Sequence, residues 1–235
     1  MRARVIALLV AAVLGICGGV ATALVVADQD GEPSVSDPLN LGIPLENQDC
    51  TGDSLLVIGY GDTVAPLSSA VANSDHTGLR YLSTADSCDT VLGPEQKPTP
   101  QYVVYRGPYS SRSEPCEIRM SGADAGSFVT VLRSGNEQLV KCPCEIPGNQ
   151  APRLSVGMDA DQSDRNWIRG LQAMLFDDAP VQFPHAAITG VYDQRTADRV
   201  AVFQDDAPGK QTVRGVVDAT TWGILTGRLC RHYNY

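Results

Sequence analysis

Positive charge is scarce in this chain. Lys and Arg total 18 against 27 Asp and Glu, a formal net charge of −9. That balance argues against sequence-independent nucleic-acid binding, which runs on cations neutralising phosphates, and against docking on an anionic membrane surface. Histidine is scarcer still. His76 sits in a polar turn, His185 in a Pro-flanked loop and His232 in the terminal tail, and none belongs to a motif that would make it a base. No G-x-S-x-G, HExxH, P-loop or dinucleotide fingerprint occurs. The Asp177-Asp178 and Asp205-Asp206 pairs read as solvated acid clusters rather than a catalytic dyad. No cofactor and no metal is expected.

Charge is also absent from Val5–Ala27, a run preceded by Arg2 and Arg4 and ended by Asp28. It is long enough to span a bilayer, and the arginines would stay cytoplasmic. A signal peptide cleaved after Ala23 or Ala27 is the rival reading. Both put the rest of the chain outside the cytoplasm, and the first makes the membrane a partner. A lipoprotein site at Cys17 is disfavoured because Ile16 stands where a small residue is needed. Residues 28–49 are polar, with several Pro and Gly, and are expected to be a linker.

In an exported chain Cys50, Cys88, Cys116, Cys142, Cys144 and Cys230 read as disulfides. Six cysteines allow 15 connectivities. Position suggests Cys50 with Cys88, Cys116 with Cys142 or Cys144, and the remaining one with Cys230. A metal site built on Cys142-Pro143-Cys144 lacks a second CxC or an HxxxH element.

The acidity is uneven. Residues 46–147 carry net −6 and residues 148–235 net −1, so the two stretches are expected to be separate units, 50–147 and 152–230. In the first, the apolar run at 54–60 reads as a strand, 63–73 as a helix capped by Thr63, and 78–83 as a strand. The order recurs at 101–106, 111–120 and 127–132. This predicts an α+β, ferredoxin-like β-α-β-β-α-β domain with both helices on one face and the other face open. On the third strand, alternation puts Val103 and Tyr105 on one face and Tyr102, Val104 and Arg106 on the other.

The run Tyr102-Val103-Val104-Tyr105-Arg106-Gly107-Pro108-Tyr109-Ser110-Ser111-Arg112-Ser113-Glu114-Pro115-Cys116 resembles the SPOR family. That family repeats a strand, a Gly-Pro/Ser-aromatic turn and a helix, and binds peptidoglycan glycan strands. The match is specific over the second half of 50–133. The resemblance implies Tyr105 as a stacking platform on the exposed sheet face, with Tyr60 and Arg80 near it.

In the second unit, Trp167, Ile168, Leu171, Met174 and Leu175 form one stripe of a helix over 164–176, with Asp164 as its cap. Gly190-Val191-Tyr192-Asp193-Gln194-Arg195-Thr196 is then echoed 25 residues later by Gly215-Val216-Val217-Asp218-Ala219-Thr220-Thr221. In each, Gly permits the turn and Asp caps the helix that follows. The first copy leads into a helix with Ala197, Val200, Ala201 and Phe203 inward. The second leads into one with Thr221, Trp222 and Leu225 on one face.

The pattern Ile168-x-x-Leu171-Gln172-x-x-Leu175, Gly190-x-Tyr192-x-x-x-Thr196-x-x-x-Val200-x-x-Phe203-Gln204, Gly215-x-Val217-Asp218-x-x-Thr221-Trp222-x-x-Leu225 resembles the peptidoglycan-binding-domain-like family of three-helix modules. The resemblance implies contacts from Gln172, Tyr192, Arg195 and Gln204. Gln172 and Gln204 could equally satisfy loop backbone groups. Gln194 and Arg199 read as solvated face. Thr189 stands where the family often has Asp, and Asp177-Asp178-Ala179-Pro180 adds an acidic insertion. Both could reshape the rim of a groove.

The expected function is non-enzymatic: an envelope protein holding peptidoglycan, through glycan strands or stem peptides, at the extracytoplasmic face. A regulatory subunit with a cell-wall enzyme partner, or an interaction module without wall binding, are the alternatives.

Overall fold

The computed structural model describes residues 36–89, 91, 99–122, 126–134, 139–207 and 213–230. Among them no helix is long and apolar enough to cross a membrane. The apolar run at 5–27 lies outside the described residues.

The fold is mixed α+β. Strand β1 is Ser54–Gly61, helix α1 Val64–Ala72 and strand β2 Arg80–Ser83. Strand β3 is Tyr102–Tyr109, helix α2 Ser113–Met120 and strand β4 Phe128–Val131. The four strands form one antiparallel sheet in the order β2-β3-β1-β4. Alternation holds on β3: Val104 packs with Leu67 of α1, while Val103 and Tyr105 pack with Leu55, Val57 and Leu82 on the other face. A β-bulge at Ile58-Gly59 lets α1 approach. A Cβ on Gly59 would lie 2.5 Å from that of Ala70, so only Gly fits there.

Two expectations fail here. The second sheet face is not open. Residues 84–89 and Val91 lie over it, placing Cys88 and Val91 against Leu55, Val57, Leu82, Val103, Tyr105 and Leu132. Nor is 28–49 a linker throughout, because its described part is packed. Leu39, Leu41, Ile43 and Leu45 cover Leu67, Tyr81 and Val104. Leu45 bridges Tyr81 in parallel, with Glu46 N donating to Tyr81 O at 2.8 Å and Tyr81 N to Pro44 O at 2.9 Å. Apolar residues at every second position give this segment one apolar edge, which lies against β2.

The second half contributes a short helix α3 (Cys142–Glu145) and three longer ones: α4 (Gln162–Asp178), α5 (Gln194–Asp206) and α6 (Ala219–Leu229). Helix α4 begins earlier than expected. Its cap is Asp161, which accepts from Asp164 N, and not Asp164 itself. Asp193 and Asp218 cap α5 and α6 by accepting from Thr196 N and Thr221 N. Trp167 and Trp222 meet edge to face with centroids 5.4 Å apart, and Trp222 Nε1 donates to Pro152 O.

The two stretches are not separate bodies. One apolar cluster runs from Leu56, Cys116, Met120 and Val129 on the sheet side into Trp167, Ile168, Leu171 and Met174 of α4, and on to Phe203, Trp222 and Leu225. Asn166 Nδ2 donates to Arg119 O at 2.7 Å and Ser163 Oγ to Met120 O at 2.5 Å, stitching α4 to the end of α2. Gly170 admits the Pro143 ring, 2.6 Å from where a Cβ would sit.

Three disulfides, Cys50–Cys88, Cys116–Cys142 and Cys144–Cys230, hold the described residues, one of the pairings left open by position. Bridges of this number fit an oxidising, extracytoplasmic setting. Cys50, Cys88 and Asp89 cluster closely enough to suggest a metal site, but both sulfurs are in the bridge and have no thiolate to offer.

Candidate functional site

The two Gly-centred turns are built alike, each pinned by a buried glutamine from the preceding helix. Gln172 Oε1 accepts from the N–H groups of Thr189 and Gly190, both at 2.9 Å. Its Nε2 donates to Val191 O and to Thr196 Oγ1, both at 3.0 Å. Gln204 repeats the arrangement on α5. Its Oε1 accepts from Gly215 N at 2.8 Å, and its Nε2 donates to Val216 O at 2.9 Å and Thr221 Oγ1 at 3.1 Å. A buried amide must be satisfied, and here both ends of it are. These two residues therefore shape the loops and are not free to grip a ligand.

The first turn forms one wall of a cleft of about 390 Å³. Its lining includes Met158, Asp159, Arg165, Arg169, Thr189, Gly190, Val191 and Tyr192. Helix α4 supplies the two arginines one turn apart. Arg169 lies directly on the turn: a Cβ on Gly190 would be 3.0 Å from its Nε and 3.2 Å from its Cζ. One terminal nitrogen of Arg169 is buried without a hydrogen-bond partner. Arg119, at the end of α2, adds a second half-buried cation. Burial, and then the charge of Arg169, lower its pKa to about 10. Tyr192 is almost fully buried, and its hydroxyl donates to Gly215 O at 3.0 Å. Burial raises its pKa well above the usual tyrosine value. It serves as a wall of the cleft, not as an acid or base.

Compared with models of known protein families, with curated proteins and with solved structures, the chain matches none.

The other expected site residues do not converge. Tyr105 is fully buried. Its hydroxyl donates to Glu46 O and accepts from Gln48 Nε2, both at 2.8 Å. Burial and the Glu46 charge push its pKa up. It cannot be a stacking platform, because Cys88, Val91 and Gln48 occupy the face it points to. Arg80 pairs with Tyr105 across the sheet, but its guanidinium is committed to Glu46 Oε2 at 2.7 Å and Gly107 O at 2.6 Å. Tyr60 is exposed and stands edge-on to Phe128, opposite Val103 in register. Arg195 is exposed, with its guanidinium 6.0 Å from the Phe183 ring centroid.

Two further readings are corrected by burial. Arg199 is not solvated; it pairs with Asp178, which Arg228 also reaches at 3.5 Å. Asp177 pairs with Lys141, and burial pushes the carboxyl up to about 6 and the ammonium down to about 8. The acidic insertion is thus an anchor for the end of α4.

Sequence reasoning missed Arg165 and Arg169. The signal was available: in the α4 stripe these are cations on the flank that the repeat turn must cover.

Proposed function

We propose that the chain is a non-enzymatic cell-envelope protein that binds peptidoglycan through the cleft beside α4, with the apolar run at 5–27 as its membrane anchor or export signal. The observation that carries this reading is the cleft itself. It is a pre-formed concavity lined by a few polar groups on a rigid, cross-linked frame, the usual form of a small-ligand site. Its frame is the three-helix pattern on which the resemblance to peptidoglycan-binding modules rests, and the disulfides suit an envelope protein. The order β2-β3-β1-β4 with intervening helices supports a ferredoxin-like, SPOR-like reading of the first half. The glycan platform of that family would fall on the face covered by Cys88 and Val91, so we assign wall contact to the helical half. No histidine lies among the lining residues, and the tyrosine there is held in its protonated form, which supports binding without chemistry.

The test is co-sedimentation of the full oxidised chain, in mild detergent, with purified sacculi. The protein is expected in the pellet with no soluble fragments released. A protein left in the supernatant refutes wall binding, and released muropeptides refute the non-enzymatic reading.

A further inference from the structure

We propose that the cleft between α4 and the 157–160 and 189–192 turns is a receptor for the free carboxylate of a short wall peptide, with Arg169 and Arg165 as its donors and Thr189 and Val191 at its rim. The proposal rests on the wall-binding reading and adds the chemical class of the ligand.

The first ground is the unpartnered guanidinium. Arginine offers five N–H donors in a fixed fork. At Arg169 one terminal nitrogen is buried and makes no hydrogen bond, an arrangement that costs stability. Among the described residues neither Arg165, Arg169 nor Arg119 has a carboxylate partner, although the chain carries 27 acidic groups. Arg80, Arg112, Arg199, Arg214, Arg228 and Lys141 all have one; Arg106 and Arg195 instead face His76 and the Phe183 ring, so what marks Arg169 is a buried nitrogen on a guanidinium with no carboxylate. An anion in the cleft would give the Arg169 guanidinium a counter-charge and relieve the repulsion between Arg119 and Arg169.

The second ground is an internal control. The two glutamine-pinned turns share one frame. Three residues before Gln172 stands Arg169; three residues before Gln204 stands Ala201, which is buried. In the second copy the glycine packs against the Ala197 backbone. The frame can therefore close without an arginine, so the turn geometry alone does not call for Arg169.

The third ground is the rim. Thr189 Oγ1 accepts from Val191 N at 3.2 Å and from Gln172 Nε2 at 3.5 Å, so its own proton is free to be donated. Val191 is 60% exposed and Met158 lies across the lining, a place for a small apolar side chain beside the carboxylate. Asp159 also lines the cleft. Two cations against one anion suit a singly charged group and disfavour a dianion. Arg and carboxylate match as a bidentate, charge-assisted pair.

The experiment titrates the full oxidised chain, by calorimetry and by NMR of the arginine Nε–H signals, with N-acetyl-D-alanyl-D-alanine, its C-terminal amide, and poly(glycerol phosphate). The acid is expected to bind and to shift the Arg169 signal. The amide should bind about 10- to 100-fold more weakly, the span expected for losing a charge-assisted pair. Arg169→Gln should weaken the acid by a similar factor. Arg165→Gln, at an exposed position with no folding role, should weaken it several-fold. Equal binding of acid and amide, no binding of the acid, unchanged affinity in both variants, or preference for the phosphodiester polymer would each overturn the proposal. The two readings separate cleanly. Sedimentation with sacculi without dipeptide binding sinks the carboxylate receptor alone. Dipeptide binding without sedimentation upholds the receptor and sinks wall attachment.

Discussion

Gln172→Leu is the most informative perturbation of the frame, because the chain contains its own comparison in Gln204→Leu. Leucine fills nearly the same volume, so packing is conserved and the hydrogen bonds are removed. At Gln172 five bonds go, the longest being that to Thr189 Oγ1 at 3.5 Å. The Gly190 N–H is buried and cannot turn to water, a loss of about 1–3 kcal/mol. The Thr189 N–H is part-buried at the cleft margin and is partly rehydrated, costing about 1 kcal/mol. The lost donors to Val191 O and Thr196 Oγ1 add about another 1 kcal/mol. The total is about 3–5 kcal/mol. At Gln204 only one N–H, that of Gly215, is orphaned, and it is part-buried; the same reasoning gives about 2–3 kcal/mol. The expected order is therefore Gln172→Leu more destabilising than Gln204→Leu by about 1–2 kcal/mol. Equilibrium urea unfolding with disulfides intact, read by tryptophan fluorescence, measures both. Trp167 and Trp222 sit in the shared core, so one probe reports on both turns. Equal costs, or the reverse order, would refute the claim that orphaned backbone donors set the energetics here.

Tyr105→Phe should cost about 1–2 kcal/mol by stranding the Gln48 amide and Glu46 carbonyl, while sedimentation with sacculi stays unchanged; lost sedimentation would return Tyr105 to the binding surface. The Cys144–Cys230 bridge spans 86 residues and Cys116–Cys142 spans 26. Chain-entropy scaling then makes Cys144→Ser/Cys230→Ser about 1 kcal/mol more destabilising than Cys116→Ser/Cys142→Ser, which urea midpoints would test. The Asp37 carboxyl is raised by burial but lowered further, in sum, by the N–H groups of Leu41 and Gly42 and the Tyr81 hydroxyl, so its folded pKa lies below the ordinary 3.8. A depressed carboxyl contributes its stability fully above the unfolded value and loses it as pH falls through the folded value. The Leu41 and Gly42 amide NMR signals should therefore titrate in acid, below pH 3.8, and an unchanged titration in Asp37→Asn would contradict that account.

Helical periodicity made the second half legible. The stripe of α4, the Asp caps of α5 and α6 and the inward faces follow from spacing alone, because local hydrogen bonding and apolar period dictate them. The sheet half was legible in element order but not in what covers it. Composition marked 28–49 as a linker through its prolines and glycines, yet Leu39, Leu41, Ile43 and Leu45 alternate with a strand's period. Which edge such a segment joins is set by tertiary contact with Tyr81, and nothing local encodes it. The covering of Tyr105 depends on the Cys50–Cys88 bridge that draws the 84–89 segment over the sheet, a long-range closure that spacing leaves open. Of the residues that line the cleft, only Tyr192 stood among the contact residues singled out by the sequence. Arg169 became recognisable once its unmet donor and its Ala201 counterpart were visible, and both are facts of packing.

The shared core gives the charge asymmetry a mechanical meaning. Residues 46–147 carry net −6 and residues 148–235 net −1. In two flexibly joined modules those charges would act independently. Here one apolar cluster and the bonds from Asn166 and Ser163 to the end of α2 lock the halves together, so the molecule carries a fixed charge dipole. Arg165 and Arg169 line the cleft, and Arg119 lies close enough to Arg169 to feel its charge. In the field of an anionic polymer such a body turns its acidic sheet half away and its cleft toward the polymer, which favours productive encounter. With the cleft as the proposed wall site, the acidic surplus, which by itself argues against binding any polyanion, would act to orient the molecule toward it. Neutralising exposed acids far from the cleft should accordingly alter the salt dependence of association more than its final affinity.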